Sequence, residues 1–166
     1  MKDKQTVRNE LLVDSPVGTL RLAASENGLI AIDVKKSSIS GEVTAADTQA
    51  KAILQTARKQ LAEYFAGKRK TFDVPLDLVG TEFQLKAWKA LSRIPYGETI
   101  SYGQQAKNIS KPKAFRAVGS ANGKNPVPII VPCHRVLASD GSLGGYSLGL
   151  RMKMQLLTLE GSRRAK

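Results

Sequence analysis

The only cysteine and the only histidine of this 166-residue chain are neighbours, Cys133 and His134. With no second thiol or imidazole in the sequence, the pair can form neither an intramolecular disulfide nor a metal site made of cysteine and histidine alone. A thiol beside an imidazole has the components of nucleophilic catalysis, in which the histidine removes the proton of the thiol. Any sulfur chemistry in this chain therefore uses a single thiol.

An inert, buried cysteine is the main alternative interpretation of Cys133. Free cysteines are among the most buried residues, and Cys133 follows the apolar run Val127 to Ile130, which has the composition of a strand. Successive side chains of a strand point to opposite faces, so His134 would not reach the Cys133 sulfur directly. Pro132 favours the end of the strand here, and a turn or a bridging water would bring both side chains to one pocket.

Charge is the most pronounced bulk property of the chain. Its 26 Lys and Arg outnumber 14 Asp and Glu and give a formal net charge of +12, which favours a polyanionic partner. The cations are spread along the chain, for example from Lys51 to Lys124, and this spread predicts a basic face on a folded domain rather than a basic tail. A basic protein without such a partner is the alternative.

The composition predicts a cytoplasmic protein, associated with the nucleoid if the polyanion is DNA. Hydrophobic residues make up 42% of the chain, an ordinary fraction for one globular domain or two small ones. Residues 1–5 begin no apolar run and no stretch approaches membrane-spanning length, so neither a signal peptide nor a membrane partner is expected. A free thiol fits a reducing cytosol.

The elements that must position the pair begin with a small antiparallel sheet. Alternating patterns over residues 10–14, 19–24 and 28–34, separated by turn residues, predict three strands. Apolar residues at helical spacing predict a covering helix over 48–66. We therefore expect an α+β fold whose residues 1–76 form a structural α/β domain with its linker.

The second part of the chain predicts a mainly helical domain at residues 77–166. Helices are expected at 81–92, 101–108, 113–122 and 150–159. The two middle helices are short and joined by a tight turn, a pattern typical of a helix-turn-helix in a winged-helix-like domain. Small side chains on the second of them favour either close approach to a nucleic-acid groove or tight helix packing.

The glycine-rich stretch 139–147 follows the Cys-His pair. It lacks the pattern of a phosphate-binding loop, and we interpret it as a mobile loop that covers a pocket. The helix after this stretch ends directly before Glu160. An anion at a helix C-terminus is disfavoured. A partner such as His134 would offset that cost.

Five motifs, in order along the chain, carry a resemblance to a known family: Arg116-Ala117-Val118-Gly119, Asn125-Pro126, Val131-Pro132-Cys133-His134-Arg135-Val136, Gly145-Tyr146-Ser147 and Leu159-Glu160-Gly161. The segment from Phe83 to Gly161 that contains them closely resembles the O6-alkylguanine-DNA alkyltransferases, which repair DNA by direct reversal. The predicted sheet and helix also fit the N-terminal domain of this family.

The resemblance implies an irreversible, stoichiometric transfer of an alkyl group to Cys133 from O6 of guanine, and from O4 of thymine, in a flipped-out nucleotide. It implies that His134 acts as a base through a water and that Glu160 orients His134. A thiol of ordinary pKa needs roughly 2 kcal/mol to ionise near pH 7. Because a thioether has no good leaving group, one protein is consumed per lesion, and no cofactor or metal is implied.

The resemblance also implies DNA and substrate contacts. Arg116 matches the residue that fills the space of the flipped nucleotide, and Asn125 matches a hinge that orders the site. Tyr102 matches the tyrosine that contacts the phosphate of the flipped nucleotide and donates a proton to guanine N3. The recognition helix is expected in the minor groove. The remaining implied residues are Ala117, Gly119, Ser120 and Ala121 for DNA, and Pro128, Val136, Tyr146 and Ser147 for the base.

The implied partner is double-stranded DNA that contains O6-alkylguanine or O4-alkylthymine. The protein is expected to be a monomer without an obligate protein partner, and cooperative assembly on DNA is left open.

Two functions of other classes compete with this interpretation. A non-catalytic module that flips and flags alkylated bases would lack the nucleophilic cysteine, and a cysteine hydrolase would need an acyl substrate pocket that nothing in the sequence indicates.

Two features depart from the family pattern. Leu148 stands where relatives commonly have glycine, which predicts a narrower pocket entrance and slower reaction with O6-benzylguanine than with O6-methylguanine. Some relatives hold a structural zinc through N-terminal cysteine and histidine ligands, which this sequence lacks, so no zinc is expected.

Overall fold

The computed structural model describes residues 9–34 and 47–162. The chain divides into two compact units, Met1–Leu78 and Val79–Lys166. A three-stranded antiparallel sheet precedes the helices, which confirms the predicted α+β class. Among the described residues, no helix has both the length and the apolar character needed to cross a membrane.

The sheet of the first unit contains β1 (Asn9–Ser15), β2 (Gly18–Ala24) and β3 (Leu29–Val34), in that spatial order. A two-residue turn joins β1 to β2, with Ser15 opposite Gly18. The φ of Gly18 is +118°, a backbone conformation that glycine adopts without steric cost. The alternation of apolar and polar residues thus predicted the hairpin correctly.

Helix α1 (Thr48–Phe65) covers this sheet, as its apolar spacing predicts. The Asp47 carboxylate caps the helix by accepting from the backbone N–H of Ala50 at 2.9 Å. After the helix, the chain returns to the edge of the sheet, where Leu76 pairs with Leu29. Fully buried side chains from helix and sheet form the core of the unit: Leu20, Leu22, Leu29, Leu54, Leu61 and Tyr64.

The second unit contains the four predicted helices, α2 (Glu82–Leu91), α3 (Tyr102–Asn108), α4 (Phe115–Gly123) and α5 (Leu150–Leu159). Two short parallel strands, β4 (Ile100–Ser101) and β5 (Val136–Leu137), pair beside them. Side-chain caps set two of the helix starts, because Thr81 accepts from Gln84 N at 3.1 Å and Ser101 accepts from Gln104 N at 3.0 Å.

Buried polar contacts join α2, α3 and α4. The side-chain amides of Gln105 and Asn122 exchange two hydrogen bonds, at 2.9 and 2.7 Å. Gln105 also donates to the carbonyl of Ala87 at 3.2 Å, and the Trp88 indole donates to the carbonyl of Ala121 at 2.9 Å. Because buried polar groups are costly without partners, these reciprocal bonds favour one packing of the three helices.

The apolar run 127–130, whose composition is that of a strand, is a buried turn. The N–H of Val131 donates to the carbonyl of Val127 at 3.0 Å and closes the turn. Pro128 lacks the N–H that a strand would need, and Ile129 has a φ of +76°, which is rare for a β-branched residue and costs about 1–3 kcal/mol. Apolar composition is the same for a buried turn and a buried strand, so the sequence could not separate them.

Candidate active site

Cys133 begins a 3₁₀ turn, Cys133–Arg135, directly after the buried turn. Its side chain is buried, with 5% of its surface exposed. It lines a cavity of about 380 Å³. The other lining residues come from α3, α4 and the loop before α5: Tyr102, Gly119, Asn122, Gly123, Gly145, Tyr146 and Ser147.

His134 lies fully buried beside the carboxylate of Glu160. Its Nε2 is 2.7 Å from Glu160 Oε2. Its Nδ1 is also buried and has no hydrogen-bond partner among the residues that the structure describes. The Glu160 contact therefore leaves Nδ1 as the ring atom that is available to accept a proton.

Glu160 caps the C-terminus of α5 and also binds Arg135, a residue for which the sequence predicted no role. Arg135 Nε donates to Oε1 at 2.8 Å, and one terminal nitrogen donates to Oε2 at 3.0 Å. The other terminal nitrogen donates to the Ile94 carbonyl at 2.6 Å. The buried Arg135 guanidinium thus compensates the unfavourable position of an anion at a helix C-terminus.

Burial controls the protonation of both predicted catalytic side chains. It lowers the pKa of His134, an effect that the Glu160 carboxylate opposes and the cations Arg135 and Lys153 reinforce. It raises the pKa of Cys133 to about 11, against the smaller opposing effects of Asn125 and Lys153. Ionising this thiol at pH 7 therefore costs about 5 kcal/mol, more than the value expected for an ordinary cysteine.

Lys153 is a fully buried cation that the sequence did not indicate, because a lysine on an amphipathic helix is normally exposed. Its ammonium group donates to three carbonyls, those of Val136 at 2.7 Å, Gly145 at 3.0 Å and Leu143. Desolvation lowers its pKa to about 8. Lys153 therefore ties the loop before α5 to β5 and places a positive charge near Cys133.

Tyr102, the first residue of α3, lies between the loop before α5 and α4. Burial raises the pKa of its hydroxyl, so the phenol stays protonated at neutral pH. A Cβ at Gly144 would lie 2.7 Å from this hydroxyl, and a Cβ at Gly119 would touch the ring at 3.7 Å. Gly144 therefore permits the close packing that brings Tyr102 to the cavity, whereas at Gly119 a Cβ would be in ordinary contact with the ring.

Asn125 holds the turn that leads to the nucleophile. Its side-chain nitrogen donates to the Val131 carbonyl at 2.8 Å, and its oxygen accepts from the Val127 N–H at 3.0 Å. The same amide favours the ionised form of Cys133 by hydrogen bonding. Asn125 thus connects the end of α4 with the 3₁₀ turn.

The other predicted site residues are distributed over three environments. Arg116, Ala117 and Ser120 are exposed on α4, whereas Gly119, Tyr146 and Ser147 line the cavity. Ala121 is buried and accepts from Trp88, so it does not share the exposed surface of α4. Three further residues do not line the cavity: Pro128 and Val136 are buried, and Leu148 is half-buried.

Two family models together match most of the chain. One, described as "6-O-methylguanine DNA methyltransferase, ribonuclease-like domain", matches residues 10–78. The other, described as "6-O-methylguanine DNA methyltransferase, DNA binding domain", matches residues 82–162 and contains the whole site. The fold and the site thus define a methyltransferase with a DNA-binding domain.

Named relatives match the chain over most of its length. A methylated-DNA–protein-cysteine methyltransferase of Methanosarcina acetivorans is 50% identical over 151 residues, which are 91% of this chain and 97% of the relative. The chain belongs to the 6-O-methylguanine DNA methyltransferase family.

Solved structures agree with this assignment. The O6-methylguanine methyltransferase of Mycobacterium tuberculosis has a TM-score of 0.81 and 44% identity, over 96% of this chain and 95% of that one. The structure of M. tuberculosis OGT in complex with DNA has a TM-score of 0.79 and 48% identity, over 90% of this chain and 91% of that one.

Proposed function

We propose that this protein repairs DNA by transferring a methyl group from O6 of guanine, and from O4 of thymine, to Cys133, once per molecule. The observation that carries the proposal is the buried contact of His134 with Glu160, directly after a cysteine that lines a cavity. A nucleophile, a base and a group that orients the base are the components of covalent catalysis.

In the proposed step, Cys133 Sγ attacks the methyl carbon while the bond from that carbon to the base oxygen breaks. The thiol proton passes through a water to Nδ1 of His134, whose Nε2 contacts Glu160. The electron pair of the broken bond stays on the base, which takes a proton from the Tyr102 hydroxyl at N3 in the case of guanine. Burial raises the pKa of that hydroxyl, so the hydroxyl carries its proton at neutral pH before the reaction.

The methyl group would reach Cys133 only if the nucleotide leaves the duplex. The cavity is lined by Cys133 and Tyr102 within one unit, and a base reaches such a cavity only after it is unstacked. We propose that α3 and α4 act as a helix-turn-helix, that α4 enters the minor groove, and that Arg116 fills the vacated stack. Residues 77–166 would then bind DNA and react, while residues 1–76 have a structural role.

Intact-protein mass spectrometry tests this function. The protein is incubated with a duplex that contains O6-methylguanine, and the expected product is a protein that has gained one methyl group on Cys133 while the DNA has lost it. A Cys133→Ser variant is the control and should stay unmodified. A protein that binds the duplex but remains unmodified would instead identify a module that flags lesions without repairing them.

A further inference from the structure

An exposed aromatic side chain at the start of α4 has no part in the transfer chemistry described above. Phe115 is the first residue of the helix and is 47% exposed. The Arg116 guanidinium lies over its ring, 5.9 Å from the centroid. A cation over an aromatic face is attracted to it, so the ring restricts the positions that Arg116 samples.

The stretch of sequence that contains Phe115 is basic and has no acidic residue. The sequence has no Asp or Glu between Glu98 and Asp140, whereas the same stretch supplies exposed cations on α3 and α4, in the turn between them and directly after α4. These are Lys107, Lys111, Lys113, Arg116 and Lys124. Cations around an exposed aromatic ring match a ligand that has both negative charges and flat aromatic faces, and a nucleic acid has both.

We propose that Phe115 is a second wedge, which stacks on the base next to the displaced nucleotide while Arg116 fills the vacated position. The inference rests on the proposed function and extends it to a residue that neither the transfer step nor the motifs include. Apolar side chains that enter a minor groove unstack adjacent bases, and an aromatic ring compensates part of that cost by stacking on the exposed base face.

If Phe115 is a wedge, the reaction needs its ring only when a base pair must be opened. Loss of a base–aromatic stack of ordinary strength corresponds to about a tenfold slower reaction. A single strand has no pair to open, so its reaction should depend much less on the ring. The ratio of the duplex rate to the single-strand rate therefore separates a wedge from a residue that only supports the fold.

Single-turnover rates of methyl transfer to Cys133 test the proposal. They are measured for Phe115→Ala, Phe115→Trp and the unaltered protein, on O6-methylguanine in a duplex and in the corresponding single strand. We expect Phe115→Ala to lower the duplex rate about tenfold and the single-strand rate less than twofold. Phe115→Trp should keep the duplex rate, because it retains an aromatic face.

Leu150→Ala is the matched control, since Leu150 is the first residue of α5 and is 49% exposed. It should leave both rates unchanged. An unchanged duplex rate in Phe115→Ala, or an equal loss on duplex and single strand, overturns the wedge. If the unaltered protein transfers no methyl group from either substrate, the proposed function itself fails, an outcome distinct from a loss confined to the Phe115 variants.

Discussion

Glu160 connects the predicted base of the site to a buried cation. One carboxylate accepts from Arg135 through both of its oxygens and contacts His134 through one of them. The three side chains are almost completely buried, so their charges are poorly screened by water. A change at Glu160 should therefore affect both the reaction and the stability of the fold.

Glu160→Gln is expected to slow methyl transfer about 10²- to 10⁴-fold, because the imidazolium that forms at His134 loses its counter-charge. It should also lower the free energy of unfolding by about 3–5 kcal/mol, since Arg135 becomes an unpaired buried cation. Single-turnover rates and urea denaturation measure the two effects. Adding Arg135→Met should recover stability without recovering the rate, and recovery of both would contradict a role for Glu160 in the reaction.

The pH dependence follows from the depressed pKa of His134. Because the neutral imidazole accepts the proton, the transfer rate should stay constant as the pH falls through 6.5 and decline only at lower pH. Below pH 6.5 the unfolded chain protonates this histidine first, so stability also decreases as the pH falls. A rate profile between pH 5 and 8 checks the prediction, and an acid limb centred at or above pH 6.5 would contradict it.

At the scale of elements, the loop before α5 packs closely against Tyr102. A Cβ at Gly144, whose φ is +69°, would lie 2.7 Å from the Tyr102 hydroxyl. The neighbouring carbonyl of Gly145 is fixed by Lys153 at 3.0 Å. The loop and the start of α3 are therefore held together, and the position of Tyr102 depends on both.

Gly144→Ala should displace Tyr102 and slow methyl transfer about tenfold, as expected for a misplaced proton donor. An alanine with positive φ also costs about 1–2 kcal/mol of stability by itself. Gly149→Ala separates the two effects, because Gly149 has a φ of +99° and open space around its Cβ position. Both variants should lose stability, but only Gly144→Ala should lose rate; equal rates would argue against the contact.

The elements were predictable from local signals, whereas several site contacts were not. The alternation of apolar and polar residues predicted β1 to β3, and the Thr81 cap together with apolar spacing predicted α2. These signals could be recognised in the sequence because each involves residues only a few positions apart. The turn at 127–130 and the burial of Lys153 depend on partners distant in the sequence. Cys133, His134 and Glu160 were assigned by resemblance, since their spacing alone does not bring them together.

At the scale of the whole molecule, the charged residues are unevenly distributed along the chain, and the nucleophile lies in a basic part of it. The stretch between Glu98 and Asp140 has no acidic residue and contains both the exposed cations of α3 and α4 and the nucleophile. A positive field around the site speeds the encounter with a polyanion and weakens as salt increases. The buried cations Arg135 and Lys153 act at shorter range, on the ionisation of His134 and Cys133.

Methylation of Cys133 is expected to destabilise the protein. The residue is 5% exposed, and Asn125 offers its amide to the thiolate, a contact that a thioether accepts only weakly. A methyl group added to a packed site typically costs about 1–3 kcal/mol, and each kcal/mol lowers the Tm of a chain of this size by about 2–4 °C. Calorimetry before and after reaction with methylated DNA measures the shift, with Cys133→Ser treated identically as the control. An unchanged Tm would mean that the cavity of about 380 Å³ accommodates the methyl group without rearrangement.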